Sequence, residues 1–197
     1  MIPDELIQRA RLIGLDGVCI TEHNQLWSVE ALENLRRKHN FLVLGGVEVD
    51  TDCGHILAFG LHRSVLNVYR IEELRELVDE AGGVMIAAHP FRYVLSDHSN
   101  PALSVEAASQ QRVFQFVDAI EVYSNMSSMN EGELAARVSD HLKLRAIAGS
   151  DAHAILQVGQ CFTIFENRIK DERELIMEIK QGRCRAARRD SRLVPLL

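Results

Sequence analysis

Short apolar runs recur along the chain, each ended by polar residues and separated from the next by stretches of helical spacing. Gly17 to Thr21, Phe41 to Val47, Val84 to Ala88, Ala119 to Tyr123 and Leu144 to Ala148 have the length and composition of buried strands. Leu6, Ala10 and Ile13 repeat at helical spacing behind Pro3, which suits a first turn, and Gly14 ends that element. Ser28 is a good N-cap for a helix that carries Leu32 and Leu35 and finishes in Arg36-Arg37-Lys38, where the helix dipole favours cations. Ile71, Leu74, Leu77, Val78 and Ala81 mark one helical face, closed by Gly82-Gly83. Further helices are predicted over Val105 to Phe116, Glu131 to Leu142 and Asp171 to Gln181. The last has an Asp171-x-x-Glu174 capping pattern and a Gly182 stop. Strands near 119, 146 and 162 lie beside them. Residues 41 to 50 and 55 to 60, parted by Asp52-Cys53-Gly54, read as a hairpin or bulged pair. Residues 90 to 103 have no period and contain two prolines, as a loop covering a site would.

Alternating strands and helices imply an α/β fold with a mainly parallel sheet, closed into a barrel if the polar strand ends face inward; a doubly wound open sheet is the fallback. The 197 residues contain no Pro/Gly/Ser-rich linker, so a single domain over 1–197 is expected, with 182–197 as a basic C-terminal tail. A formal net charge of -6 argues against a broad nucleic-acid surface, leaving nucleic acid only as a substrate. The four cysteines are scattered without C-x-x-C spacing, which indicates neither a disulfide framework nor a zinc knuckle and fits a reducing cytoplasm. No apolar run reaches the length of a membrane span, and no basic-then-apolar leader is present.

The strand ends carry the chemistry. Ala148-Gly149-Ser150-Asp151-Ala152-His153 sets a carboxylate and an imidazole two residues apart just after a strand, where both can reach one site. Other runs end in Glu22-His23-Asn24, in Glu48, in His89 before Pro90, and in Ser124-Asn125. In a parallel barrel such carboxyl-end groups converge on one pocket. Mixed oxygen and nitrogen donors suit manganese, iron or zinc ahead of magnesium.

Thr21-Glu22-His23-Asn24, Gly46-Val47-Glu48-Val49, Ala88-His89-Pro90-Phe91-Arg92, Glu121-Val122-Tyr123-Ser124-Asn125 and Gly149-Ser150-Asp151-Ala152-His153 resemble, in order, the motifs of the polymerase and histidinol phosphatase (PHP) domain. The resemblance implies a distorted (β/α)7 barrel with up to three divalent metals at its mouth, hydrolysing phosphoesters. By position it makes His23, Glu48, His89, Asp151 and His153 metal ligands, Glu48 a bridging carboxylate and Arg92 a phosphate contact. His23, His153 and Asp151 are the catalytic candidates, and Arg92, His55 and Asn125 the substrate-binding ones. The family's opening strand, with its His-x-His pair, has no counterpart here, and Asn125 stands where many members have histidine. Fewer than three metals per chain are therefore expected. A strand missing ahead of the first helix would mean a start at an internal methionine, or an open sheet edge covered by homo-oligomerisation.

Each choice has a plainer alternative. His23 and His153 could be hydrogen-bonded core histidines, and Glu48 a solvated strand terminus. His55 is balanced between a substrate contact and a structural residue. His39, His62, His98 and His141 read as surface residues. Arg183, Arg185, Arg188, Arg189 and Arg192 read as a solvated face or a subunit contact. Three functions remain open: a metal-dependent phosphoesterase acting on a small phosphorylated metabolite or nucleotide end, a PHP-like metal-binding module with little turnover, and an amidohydrolase-like hydrolase.

Overall fold

The computed structural model describes residues 1–92 and 103–189. His98, Arg192 and most of the 90–103 loop lie outside them. Helix α1 (Pro3–Leu12) leads into β1 (Gly17–His23), α2 (Val29–His39) and β2 (Leu42–Thr51), which turns directly into β3 (Gly54–Phe59). Then come α3 (Ile71–Glu80), β4 (Val84–Ala87), the short α4 (Val105–Ala108), β5 (Ala119–Tyr123), α5 (Met129–Leu142) and β6 (Arg145–Ala148). The chain closes with β7 (Cys161–Phe165), α6 (Glu172–Gln181) and β8 (Cys184–Arg188).

Local chemistry accounts for the helix limits. Ser28 accepts the N–H of Ala31 at the start of α2, and Asn40 ends it in the left-handed region. Ser128 and Glu131 form a reciprocal capping box on α5. Asp171 caps α6 through the Glu174 N–H, and Gly182 stops it at φ 70°. The helix expected over Val105 to Phe116 breaks into α4 and a single 3-10 turn at Arg112–Gln115. There the buried Val105, Ala108, Val113 and Phe114 fill the core without needing continuous helix.

Strands β1 to β6 pair in sequence order as one six-stranded sheet that curls as a half-barrel, and β7 and β8 form a separate antiparallel pair. The expected hairpin is present: β2 and β3 run antiparallel, with Thr51 opposite Gly54. Of the expected distorted barrel, the described residues form the curled six-stranded half, with β7 and β8 packed beside β6. At the far side of β6, Thr163 Oγ1 accepts the Ala148 N–H at 3.0 Å and donates to the Ala148 carbonyl at 2.8 Å, so a side chain takes the place of ladder bonds between β6 and β7. Cys184–Arg188, expected within a basic tail, is a strand. Arg183 donates to the buried Glu178, and Arg189 Nε donates to the Gly159 carbonyl at 3.0 Å, so these arginines hold the fold together.

The sheet has two apolar faces. Val47, Val49, Ile56, Met85, Ile120 and Val122 belong to the cluster that packs on α3 and α5. Leu44, Ile86, Ala119 and Ile147 belong to the cluster covered by Leu175 and Ile179 of α6. Because side chains alternate along a strand, this second face continues toward the carboxyl ends as Glu48, Glu121 and Gly149. The polar site is the upper rim of an apolar layer.

Candidate metal centre

Strand register assembles the site. His23, the last residue of β1, lies opposite Glu48 in the parallel β1–β2 ladder, and Asp50 lies opposite His55 in the antiparallel β2–β3 ladder. Glu48 and Asp50 are two residues apart and so share a face, which brings both cross-strand partners onto that face. Beyond β4 the Ala88 N–H still bonds the His55 carbonyl at 3.0 Å, placing His89 beside His55.

Three imidazoles meet one carboxylate there. His55 Nδ1 lies 2.9 Å and His89 Nε2 3.2 Å from Glu48 Oε1, and His23 Nε2 lies 3.7 Å from Oε2. The rings of His23 and His55, and of His55 and His89, stand edge to face at 5.2 and 5.1 Å. Asp50 Oδ1 lies 3.1 Å from His23 Nδ1 and 3.5 Å from His55 Nε2. Glu48, His55 and His89 have ligand atoms within 4.8 Å of one another, as do His23, Asp50 and His55. Burial works to raise the Glu48 carboxyl, but the His89 hydrogen bond and the neighbouring imidazoles more than offset it, holding Glu48 below its ordinary range.

A second carboxyl lies beneath. Glu121 is only 4% exposed, and its Oε2 accepts the His89 backbone N–H at 3.1 Å. Burial pushes its pKa up to about 8 against the opposing His89 N–H bond, with the charges of Asp151 and Glu48 adding to the rise. Gly149 makes room for it, since a Cβ there would stand 2.7 Å from Glu121 Oε1.

The other rim holds Asp151, His153 and Arg92. Arg92 Nη1 donates to Asp151 Oδ2 at 3.3 Å, and His153 Nδ1 lies 3.0 Å from the Asp151 carbonyl. Asp151 and His153 stand together with Arg92 rather than within either compact donor group. Asn125 is committed elsewhere: its Nδ2 donates to the Gln157 carbonyl at 2.9 Å, so the side chain expected to touch substrate braces the 150s loop. Of the remaining histidines, His39 is paired with Asp4, whereas His62 and His141 are exposed as expected.

Sequence reasoning passed over two members of the site, Asp50 and Glu121. Both had a signal, since Asp50 follows Glu48 by the strand period and Glu121 is a carboxylate within an apolar run, where carboxylates are rare unless partnered. His55, expected as a substrate contact, stands within both groups of prospective ligands. This donor set fits a borderline divalent ion, because imidazole nitrogens and carboxylate oxygens converge on a buried carboxylate that no lysine or arginine neutralises among the described residues.

Comparison with known proteins agrees with this picture. Residues 131–184 match the family model described as PHP-associated, a stretch that contains Asp151 and His153. An uncharacterized protein of Methanocaldococcus jannaschii is 26% identical over 123 residues, which is 62% of this chain and 66% of that protein. Among solved structures, PsfC of Pseudomonas syringae superposes with a TM-score of 0.65 at 19% identity, covering 94% of this chain and 82% of its own. A candidate metal-dependent phosphoesterase of Bifidobacterium adolescentis gives a TM-score of 0.60 at 16% identity, covering 91% of each chain. An amidohydrolase of Chromobacterium violaceum, with bound sulfate and no metal, gives 0.59 at 17% identity, covering 78% of this chain and 83% of its own. Among the described residues no helix is long and apolar enough to cross a membrane.

Proposed function

We propose that the chain is a PHP-family protein, a reading supported by the match of residues 131–184 to the PHP-associated model, and that it hydrolyses a phosphoester of a small metabolite or nucleotide end, using divalent ions at the carboxyl edge of its sheet. The observation that carries the proposal is the convergence of three imidazoles on the buried Glu48. His23, Glu48, His55 and His89 would hold one ion, and Asp151 with His153 would offer a further position. Manganese, iron or zinc suits these donors. A bound ion supplies a water of lowered pKa and neutralises charge building on the phosphoryl oxygens.

The chain's own residues account for the rest. Arg92, half-buried and oriented by Asp151, presents a planar cation suited to a phosphoryl group. His153 has Nδ1 against the Asp151 carbonyl at 3.0 Å, which leaves Nε2 to pass a proton to the leaving oxygen when it is not engaged by metal. Glu121, held high by burial, keeps its proton near neutrality and adds no charge beneath Glu48.

A second reading, hydrolysis of a cyclic amide, is favoured by the fold likeness to the C. violaceum amidohydrolase. Chromogenic phosphate monoesters and diesters assayed beside a cyclic amide, with manganese, iron or zinc restored to stripped protein, separate the two. Metal-dependent release from a phosphoester is the expected result. Turnover of the amide alone would replace the proposal with the second reading, and bound metal with background rates would reduce the protein to a metal-binding module.

A further inference from the structure

A neutral imidazole has one N–H and one lone pair, so the partner of one ring nitrogen decides what the other can do. Two histidines here each face two carboxylates. His23 points Nε2 at Glu48 and Nδ1 at Asp50; His55 points Nδ1 at Glu48 and Nε2 at Asp50. The Asp50 carboxylate can only accept, and so can Glu48. His55 therefore cannot serve a cation at both of its nitrogens, and the two donor groups that share it are alternatives rather than two sites.

Asp50 itself is tethered. Asn24 Nδ2 donates to Asp50 Oδ2 at 2.9 Å, and Asn24 Oδ1 accepts the Asp50 backbone N–H at 3.1 Å. That leaves Oδ1 as the oxygen facing both rings. Asp50 is also the outer of the two carboxylates, 48% exposed at its side chain against 9% for Glu48. The exposed carboxylate is accordingly the acceptor, and the buried one is where the lone pairs converge.

We infer that Asp50 is a positioning residue. It accepts the N–H of His23 Nδ1 and of His55 Nε2, so that His23 Nε2 and His55 Nδ1 both present lone pairs to a cation at Glu48, with Asn24 fixing the carboxylate in turn. This rests on the metal-binding part of the proposed function and is independent of what the site hydrolyses. Outer carboxylates that orient ligating histidines contribute roughly 10- to 100-fold to metal affinity.

The test uses the whole chain with zinc as a diamagnetic probe. Two-bond proton–nitrogen NMR of the zinc-loaded protein is expected to show His23 protonated at Nδ1 and His55 at Nε2. D50A, whose position is exposed enough to leave the fold intact, is expected to bind zinc 10- to 100-fold more weakly with the same number of ions at saturation and mixed His55 tautomers; N24A should show a smaller loss of the same kind. Loss of one zinc ion per chain in D50A would make Asp50 a ligand and overturn the inference. So would unchanged affinity in D50A, or a His55 Nδ1–H in the zinc form. Zinc binding with these tautomers but no phosphoester turnover would sink the proposed function while leaving the role of Asp50 standing.

Discussion

Gly149 offers a clean perturbation of the floor of the site. Its backbone lies outside the left-handed region, so alanine is conformationally acceptable there, and the effect of Gly149→Ala is steric alone. The new Cβ would stand 2.7 Å from Glu121 Oε1, about 0.7 Å inside ordinary contact. Glu121 cannot retreat freely, because it is fully packed and its other oxygen holds the His89 N–H at 3.1 Å. Moving the carboxyl by that amount breaks the bond. Overpacking costs about 1 to 3 kcal/mol and a stranded buried donor about 1 to 3 kcal/mol more, giving a loss of about 2 to 6 kcal/mol. That is a large part of the roughly 5 to 15 kcal/mol stability of an ordinary domain. Urea unfolding in chelator measures it, and zinc titration of the still-folded fraction should show weakened binding because His89 loses its backbone tether. In the G149A/E121D double variant the shorter carboxyl should relieve the clash and recover part of the stability, but not the affinity, since it no longer reaches His89. A G149A protein within about 0.5 kcal/mol of wild type, the range of a neutral surface change, with unaltered zinc binding, would refute the account of Gly149, Glu121 and His89 as one unit.

Other expectations follow from the same contacts. H153A should unfold within about 0.5 kcal/mol of wild type, as exposed substitutions do, while phosphoester turnover falls by about 100-fold or more, the scale of a lost general acid; a stability loss without a rate loss would make His153 structural. E48A should abolish tight metal binding, measured by elemental analysis after dialysis against buffer free of chelator, and an unchanged metal content would remove Glu48 from the ligand set. The same analysis on wild-type protein should find fewer than three ions per chain. Glu178 is held below the usual carboxylate range, chiefly by the Arg183 guanidinium. The sign is that of a depressed acid: its contribution is full above the ordinary value of 4.5 and is lost as pH falls through the lowered one. E178Q should therefore lose less stability than wild type on acidification from about pH 5.5 to 3, and parallel melting curves for the two proteins would count against the pair.

Elements with a strong period were legible in the sequence, as were the groups at strand ends. The hairpin of 41 to 50 and 55 to 60, the Ser28 cap and the 71-to-81 helix all emerge as expected, because local periodicity and capping chemistry determine them. What escaped depends on cross-strand register, which no local pattern contains. Asp50 matters because it lies opposite His55, and Glu121 because its carboxyl lies under a backbone N–H across the sheet. The bond from the Asn125 amide to the Gln157 carbonyl was hidden for the same reason, since it joins a strand end to a loop 32 residues away. The break after β6 turns on the hydroxyl of Thr163, a residue with an ordinary strand propensity and nothing in sequence to distinguish it.

Backbone strain at the rim indicates how ready the site is before any ion arrives. Asn24, His89 and Asp151, each just beyond or at the end of a strand, adopt positive φ of 54°, 31° and 43°. Asparagine and aspartate tolerate this region, but a histidine there costs on the order of 1 to 3 kcal/mol unless its surroundings fix it. Each is fixed by a contact that belongs to the site: Asn24 N–H to the Glu48 carbonyl at 2.7 Å, His89 N–H to Glu121, and Asp151 to Arg92. The imidazoles and carboxylates are thus held in place by the fold itself, and an ion entering the site meets donors already aimed rather than donors it must gather. Binding would then avoid the cost of ordering long side chains, so that even a rim half exposed to water is prepared for a cation.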